Sequence, residues 1–299
     1  MATGLQERPP PAAPAARRRA EAPPGSHRRL KLFGLLLPPL GWMVVVYIGS
    51  LLVLFMAAFW HLDSFTGLVV HQWGFGNFTK IFTQSVYLVT AGRTLAMAAF
   101  VTVTDIVLAL PIAYYAARMA SPRRRSIILL AVVLPLWSSY LVRVFAWRVI
   151  LSSHGLLNWL FFGHLHVGFS LWALWLTYTY LWLPFVILPI YASLERVPSS
   201  LLEASQDLGA QPWTTFRRVI WPLAIPGIVA GSIFSFSLTL GDYIAPSLIS
   251  NTQFIGNIVY ENTGVAGNTP FAAAYALVPV VIVGIYLLIA RRMGAFEAL

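Results

Sequence analysis

Apolar runs close to the ~20 residues that a helix needs to cross a bilayer recur along this chain, separated by shorter polar stretches. Residues 32–60, "LFGLLLPPLGWMVVVYIGSLLVLFMAAFW", hold no Asp, Glu, Lys or Arg and predict a first tilted span, with Pro38 and Pro39 at its start. After a polar stretch to residue 88, "TLAMAAFVTVTDIVLALPIAYYAA" runs between Arg93 and Arg118 with Asp105 as its only charge, and predicts the second span. "SIILLAVVLPLWSSYLVRVFAW", after the basic turn "RMASPRRR", predicts the third, and a fourth falls within residues 168–194. Between them, "LSSHGLLNWLFFGHLHVG" predicts an interfacial loop with a short helix, because Trp and Phe suit the headgroup region. A fifth span covers residues 219–245 and a sixth 271–290, joined by the polar turn "SNTQFIGNIVYENTGVAGNTP". The pattern therefore predicts an all-α, polytopic membrane protein of six transmembrane helices.

Composition agrees. Of 299 residues 58% are hydrophobic and 10% charged, where a soluble domain carries about a quarter charged residues. Such a chain is one bundle in lipid, not two soluble cores in sequence. With no cysteine, disulfides, thiolate metal sites and cysteine nucleophiles are excluded. The net charge of +10 suits nucleic acid or an anionic surface, so its distribution decides. Residues 1–31 hold seven of the basic residues amid repeated Pro and Ala, which predicts a disordered basic arm ahead of a membrane domain over 32–299. That arm is longer than the basic region of a signal peptide, and the run after it is of membrane length. Sixteen of the twenty Lys and Arg fall in the arm, the 118–125 turn, the 196–218 segment or the tail "RRMG", all on one side of a six-span bundle. By the positive-inside rule that side is the cytoplasm, with both termini on it, and the charge points to membrane lipid and not to nucleic acid.

The segment "PSSLLEASQDLGAQPWTTFRRVIWPLAIPG" (198–227) is then a cytoplasmic loop between the fourth and fifth spans. "SLLE" fits a capping box, in which the Ser200 hydroxyl accepts from the amide of Glu203 and the Glu203 carboxylate reaches back to the Ser200 amide. Gly209 suits a left-handed helix stop, which predicts a helix over 201–208. Pro212 suits the first turn of a second helix continuing into the fifth span. On the short helix Leu201, Ala204, Ser205 and Leu208 share a face, with Glu203 and Asp207 projecting from another. So short a helix is marginal alone and needs something to pack against, either its own bundle or a partner.

"EASQDLGAQPWTTFRRVIWP" resembles the signature loop of permease subunits of bacterial ATP-binding-cassette (ABC) importers: Glu-Ala-Ala, three residues, Gly, nine residues, then Ile, any residue, Leu-Pro. Glu203, Ala204, Gly209 and Pro222 match in register, with Ser205 for the second Ala, Val219 for Ile and Trp221 for Leu. The resemblance covers residues 85–299. "LVRVFAWRVILSSHGLLN", "LPFVILPIYASLERVPSSLLEASQDLGA" and "FSFSLTLGDYIAPSLI" are similar to stretches of spermidine/putrescine-type permeases. It implies a type I ABC importer permease fold with its core over 85–290, and a coupling helix in the 195–222 loop, at Glu203, Ala204, Ser205, Asp207, Gly209 and Pro222. It also implies a cytoplasmic ABC ATPase dimer docking there, a second, related permease subunit, an extracytoplasmic solute-binding protein and a place in the bacterial inner membrane. The implied solute is a polyamine; permeases for other small solutes, such as amino-acid-like or phosphonate anions, share parts of the pattern.

No GxxxxGK[ST] phosphate loop and no catalytic constellation occur, so the chain is not an enzyme by itself and calls for no cofactor. Ionisable residues inside the spans are the candidates for the pathway, because each is costly in lipid. Asp105 and Asp242 could meet a cationic amine, or be a structural partner and a loop cap; Tyr243 offers an aromatic face beside Asp242. Arg143 and Arg148 would repel a polyamine and suit a contact with a carboxylate of a partner, with lipid headgroups or with an anion. Trp137, Trp147 and Trp182 suit interfacial or packing positions. His154, His164 and His166 share the outer loop, which has no carboxylate and no standard metal-ligand spacing. A self-contained secondary transporter, using the two aspartates for a coupling ion, would call for repeated halves that the chain does not display.

Overall fold

A computed structural model of the chain describes residues 26–63, 65–161 and 168–292. The chain forms two units, residues 1–52 and 53–299. The first is described from Ser26 as helix α1 (Ser26–Met43), a π-helical turn Val44–Ile48 and the start of α2 (Gly49–Ala57). The tract assigned to the basic arm lies mostly outside the described residues, and α1 begins at Ser26, inside it. Pro38 and Pro39 lie within α1.

The second unit continues with a two-residue hairpin, β1 (His61–Leu62) against β2 (Val69–Val70), which the hydrophobic pattern does not predict. The Asp63 carboxylate closes its turn by accepting the amides of Phe65 (2.8 Å) and Thr66 (3.3 Å), and these bonds hold its carboxyl below the usual aspartate range. Then follow α3 (Gly76–Thr83), α4 (Ser85–Tyr114), α5 (Pro122–Val133), α6 (Tyr140–Leu151), α7 (Leu156–Leu160) and α8 (Leu171–Glu195). The chain goes on through α9 (Ser199–Asp207), α10 (Pro212–Thr215), α11 (Trp221–Gly241), α12 (Ile244–Ile249), α13 (Ile255–Gly264) and α14 (Thr269–Arg292).

Among the described residues five continuous helical segments are long and apolar enough to cross a membrane: Phe33–Ala57, Ser85–Met119, Leu171–Glu195, Pro212–Gly241 and Thr269–Arg292. The predicted third span is not one helix. Pro122–Trp137 and Tyr140–Leu160 meet at 98°. The break has a local cause: Pro135 opens a 3-10 turn, Ser138 takes an extended backbone (φ −83°, ψ 148°), and its hydroxyl bonds the Pro135 carbonyl at 2.7 Å. The fifth span is also displaced, starting at Pro212 and ending at Gly241.

The core of this unit is the triplet α4, α8 and α11. Toward the elbow that joins α8 to α11, Ala109, Ala113 and Ala116 meet Val186, Ile187, Ile190 and Leu194, with Ile220 and Ala224 closing the cluster. Toward the other end, Met97 and Val101 pack with Leu174, Tyr178, Leu181 and Trp182, joined by Val144 from α6 and Ala245 and Ile249 from α12. Lipid offers no water to hydroxyl groups, so they bond their own helix: Thr94, Thr102, Thr177 and Thr239 each donate to the carbonyl four residues back at 2.7–2.8 Å. On α11, Gly227 and Gly231 lie directly on α8; a Cβ on Gly227 would sit 2.5 Å from the Pro189 carbonyl and 2.9 Å from the Ile190 Cα. This backbone-on-backbone contact is how small residues pack helices where no hydrophobic force acts between them. Gly227→Ala is therefore expected to destabilise the detergent-purified protein by about 1–3 kcal/mol through overpacking. Gly284→Ala on α14, with nothing within 4 Å of the added carbon, is expected to leave the melting curve unchanged.

Candidate functional site

The elbow is built from helix ends. The backbone turns out of α8 at Pro198, which has an extended conformation (φ −62°, ψ 138°) and precedes the first residue of α9. The predicted capping box is not formed: Pro198 occupies the N-cap, no side-chain cap bond is present, and Ser200 lies inside the helix. At the other end Gly209 has φ +71°, its amide bonds the Gln206 carbonyl (2.8 Å), and the Ala210 amide bonds the Ser205 carbonyl (3.0 Å). This pair of bonds is a Schellman stop and needs the left-handed conformation that glycine adopts without penalty. Pro212 then starts α10 with its ring in the first turn. A π-helical turn, Phe216–Ile220, joins α10 to α11, where Pro222 takes a first-turn position. Trp221, in place of the leucine of the motif, rests against Phe216, which stacks on Trp213 (centroids 6.3 and 5.6 Å).

α9 divides into two faces. Leu202 packs on the alanine-rich cluster of the core, and the Ser205 hydroxyl bonds that of Thr215 at 2.8 Å, tying α9 to α10. Leu201, Ala204 and Leu208 face outward, with Leu208 86% exposed, as do Glu203 and Asp207. Ser205 thus belongs to the bundle side, and the apolar face read from the sequence is split. Neither Glu203 nor Asp207 forms an ion pair among the described residues. Beside the elbow's root a groove of about 420 Å³ is lined by Pro189, Ser193, Val197, Pro198, Pro222 and Gly227.

The two candidate aspartates do not meet. Asp105 is fully buried between α4 and α11; one carboxylate oxygen accepts from the Ser235 hydroxyl at 2.5 Å and the other has no partner. Asp242 lies seven residues beyond Ser235, about 10 Å further along α11. It accepts from the Tyr140 hydroxyl (2.5 Å) and from the amides of Ile244 (3.0 Å) and Ala245 (3.2 Å), so it caps α12 and pins it to α6. Tyr243, beside it, stacks on Tyr260, with centroids 4.7 Å apart and rings 13° from parallel. Tyr140 and Tyr178 both stack on Trp182, which packs in the core as the sequence suggests. Arg143, one turn beyond Tyr140, keeps its Nε and Nη1 buried without a partner. Arg148 sits over the ring of Phe169 at 5.7 Å, and Phe169 holds a positive φ of 55°. Among the described residues no three His, Asp or Glu side chains are grouped to hold a metal; His164 and His166 lie outside them.

Ser235 and Tyr140, the partners of the two aspartates, are not singled out by the sequence pattern, because each comes from a helix more than 100 residues away. The signal that does point to Ser235 is its period along α11, where Ser232, Ser235 and Thr239 share the buried side.

Comparison with known proteins places the chain in a family. The family described as "Binding-protein-dependent transport system inner membrane component" matches residues 109–295. The inner membrane ABC transporter permease protein YdcU of Escherichia coli (strain K12) is 45% identical over 289 residues, covering 90% of this chain and 92% of that one. The spermidine/putrescine transport system permease protein PotB of the same organism is 29% identical, covering 84% of this chain and 94% of its own length. In a crystal structure of a bacterial alginate ABC transporter in complex with an alginate pentasaccharide-bound periplasmic protein, one chain superposes with a TM-score of 0.71 at 18% identity, covering 90% of this chain and 95% of that one. At that identity the likeness is one of fold. A self-contained ion-coupled transporter is thereby set aside, because permeases of this family are driven by an ATPase on another polypeptide. The chain belongs to the family of binding-protein-dependent transport system inner membrane components: it is a multi-pass permease subunit of an ABC importer, with the type I fold, and not an enzyme.

Proposed function

We propose that α9 is the coupling helix of this permease, with Glu203, Ala204, Ser205, Asp207, Gly209 and Pro222 forming the loop over 195–222 on which a cytoplasmic ABC ATPase dimer acts. The observation that carries this is the exposed ridge of Leu201, Ala204 and Leu208 on a helix held to the bundle by its opposite face. An apolar ridge flanked by two carboxylates that form no ion pair among the described residues suits a cleft on another protein better than water. A second, related permease completes the pathway, and an extracytoplasmic binding protein delivers the solute. The clustering of Lys and Arg supports placing both termini and the elbow on the cytoplasmic side.

For the solute we propose a polyamine. Two observations support this choice: the similarity to permeases named for spermidine and putrescine, and the unpaired carboxylate oxygen of Asp105 within α4. Asp242 is less suited to meet a cation, because its oxygens already accept three hydrogen bonds. One observation favours an anionic or zwitterionic solute instead, namely the unpaired Nε and Nη1 of Arg143, which a carboxylate of solute or partner would satisfy.

Proline fixes φ near −65° and cannot take the +71° of Gly209. Gly209→Pro is expected to abolish uptake and ATPase association while membrane insertion stays normal; normal uptake by that variant sinks the coupling assignment. The cysteine-free chain makes Leu208→Cys a clean probe, expected to cross-link to the ATPase in isolated membranes. Solute class is read by uptake of labelled spermidine, putrescine and small anions in the complete transporter. Loss of the buried Asp105 carboxyl in Asp105→Asn is expected to lower spermidine uptake about tenfold or more. An unchanged Asp105→Asn variant, together with loss of anion uptake in Arg143→Gln, would instead establish the second reading.

A further inference from the structure

The root of the elbow is gripped from a helix distant in sequence. Arg118 lies in the π-helical turn Tyr115–Met119 that closes α4. Its Nη2 donates to the carbonyl of Leu194 at 2.5 Å and to that of Val197. Leu194 and Val197 are buried, and they bracket the end of α8 immediately before Pro198 opens α9. The carbonyls of a last helical turn lack intrahelical donors, and Pro198 has no amide proton to offer them. A guanidinium there meets the Val197 oxygen, supplements the long bond from the Val197 amide (3.3 Å) on the Leu194 oxygen, and faces the negative end of the helix dipole. A second arginine, Arg125 on α5, pairs with Glu195, the last residue of α8, and its guanidinium lies 5.1 Å from the centroid of the Tyr191 ring. That pair is more than a third exposed and so contributes less than the shielded bonds of Arg118.

Arg118 therefore does more than mark the cytoplasmic side of the chain. Among the described residues α9 packs on the core through Leu202 and bonds α10 through Ser205, so a force on it reaches the spans mainly through its two roots. One root is the turn into α11. The other is the last turn of α8, where the backbone bond on the Leu194 carbonyl, from the Val197 amide, is long at 3.3 Å. We propose that Arg118 is a positioning residue for transport: by closing the end of α8 with two hydrogen bonds it makes the turn after α4 move with the root of α9, so that displacement of the elbow is passed to α4 and α5. This rests on α9 being the ATPase-coupling helix. Both carbonyls accept from one guanidinium nitrogen, so a lysine ammonium, which has three donors but is a more strongly hydrated point charge, is expected to replace it only in part.

The test uses the assembled transporter, with its ATPase, second permease and binding protein, in liposomes. Spin labels are placed on introduced cysteines at Ser121 and Gln206, both exposed, and their separation is measured with and without a non-hydrolysable ATP analogue. With Arg118 present, one narrow distance is expected in both states. In Arg118→Met the distribution is expected to broaden or shift with nucleotide, and labelled spermidine carried per ATP hydrolysed to fall roughly tenfold while hydrolysis itself stays near wild type. Arg118→Lys is expected to be intermediate, and guards against a methionine variant that fails to fold. Wild-type distances and transport in Arg118→Met, with the Leu208→Cys cross-link to the ATPase intact, overturn the role of Arg118 and leave the coupling helix standing. Parallel loss of uptake, hydrolysis and thermal stability in both variants also overturns it, because Arg118 would then only hold the fold together. Absence of the Leu208→Cys cross-link in the wild-type background overturns the coupling helix instead.

Discussion

A membrane helix satisfies its own backbone everywhere except at its ends, and lipid supplies no donors or acceptors for the remainder. The polar side chains that matter most in this protein are found where helices stop or break. Gly209 closes α9 through two backbone bonds, Asp242 caps α12, Arg118 closes α8, and the Ser138 hydroxyl steadies the bend between α5 and α6. Each of these ends is also a place where the chain changes direction. The elbow, the bend and the α11–α12 break therefore follow from one requirement, that unpaired carbonyls and amides be met by protein.

Between those ends the helices are joined by shape more than by charge. α8 and α11 approach until backbone meets backbone at Gly227 and Gly231, and the alanines of α4 leave room for the branched side chains of α8. Ser193 adds a bond from its hydroxyl to the Leu223 carbonyl at 2.8 Å across the same contact. Asp105 is the one carboxylate inside this packed region among the described residues, and it is held by a hydroxyl and not by a cation.

Much of this was legible in the sequence, for identifiable reasons. Span length follows from bilayer thickness, so the unbroken apolar runs located α8, α11 and α14 to within several residues, while α4 begins at Ser85, nine residues before its apolar run. Gly209 and Pro212 were legible because each has a backbone conformation that few other residues share. Ser200 was misleading: a capping box pattern is local, but Pro198 fixes where α9 begins, two residues earlier. The bend after Trp137 was hidden because the run from Ser126 to Trp147 is apolar enough for a single span, and composition does not record a change of direction. Partners separated by more than a hundred residues, such as Tyr140 with Asp242, depend on how helices cross and could not be read from any local window.

The end of the bundle away from the elbow is tied by a different kind of network. Asn257 donates to the Tyr243 carbonyl and the Ser247 hydroxyl, the Thr94 hydroxyl accepts the Ile255 amide, and Gly256 lies so close that a Cβ there would be 2.6 Å from the Asp242 carbonyl. α4, α12 and α13 are thus knotted together at one end. α4 alone is about 45 Å long and its tie at Thr94 lies about a third of the way along it, so a small angle at that knot becomes a larger sweep at the elbow end.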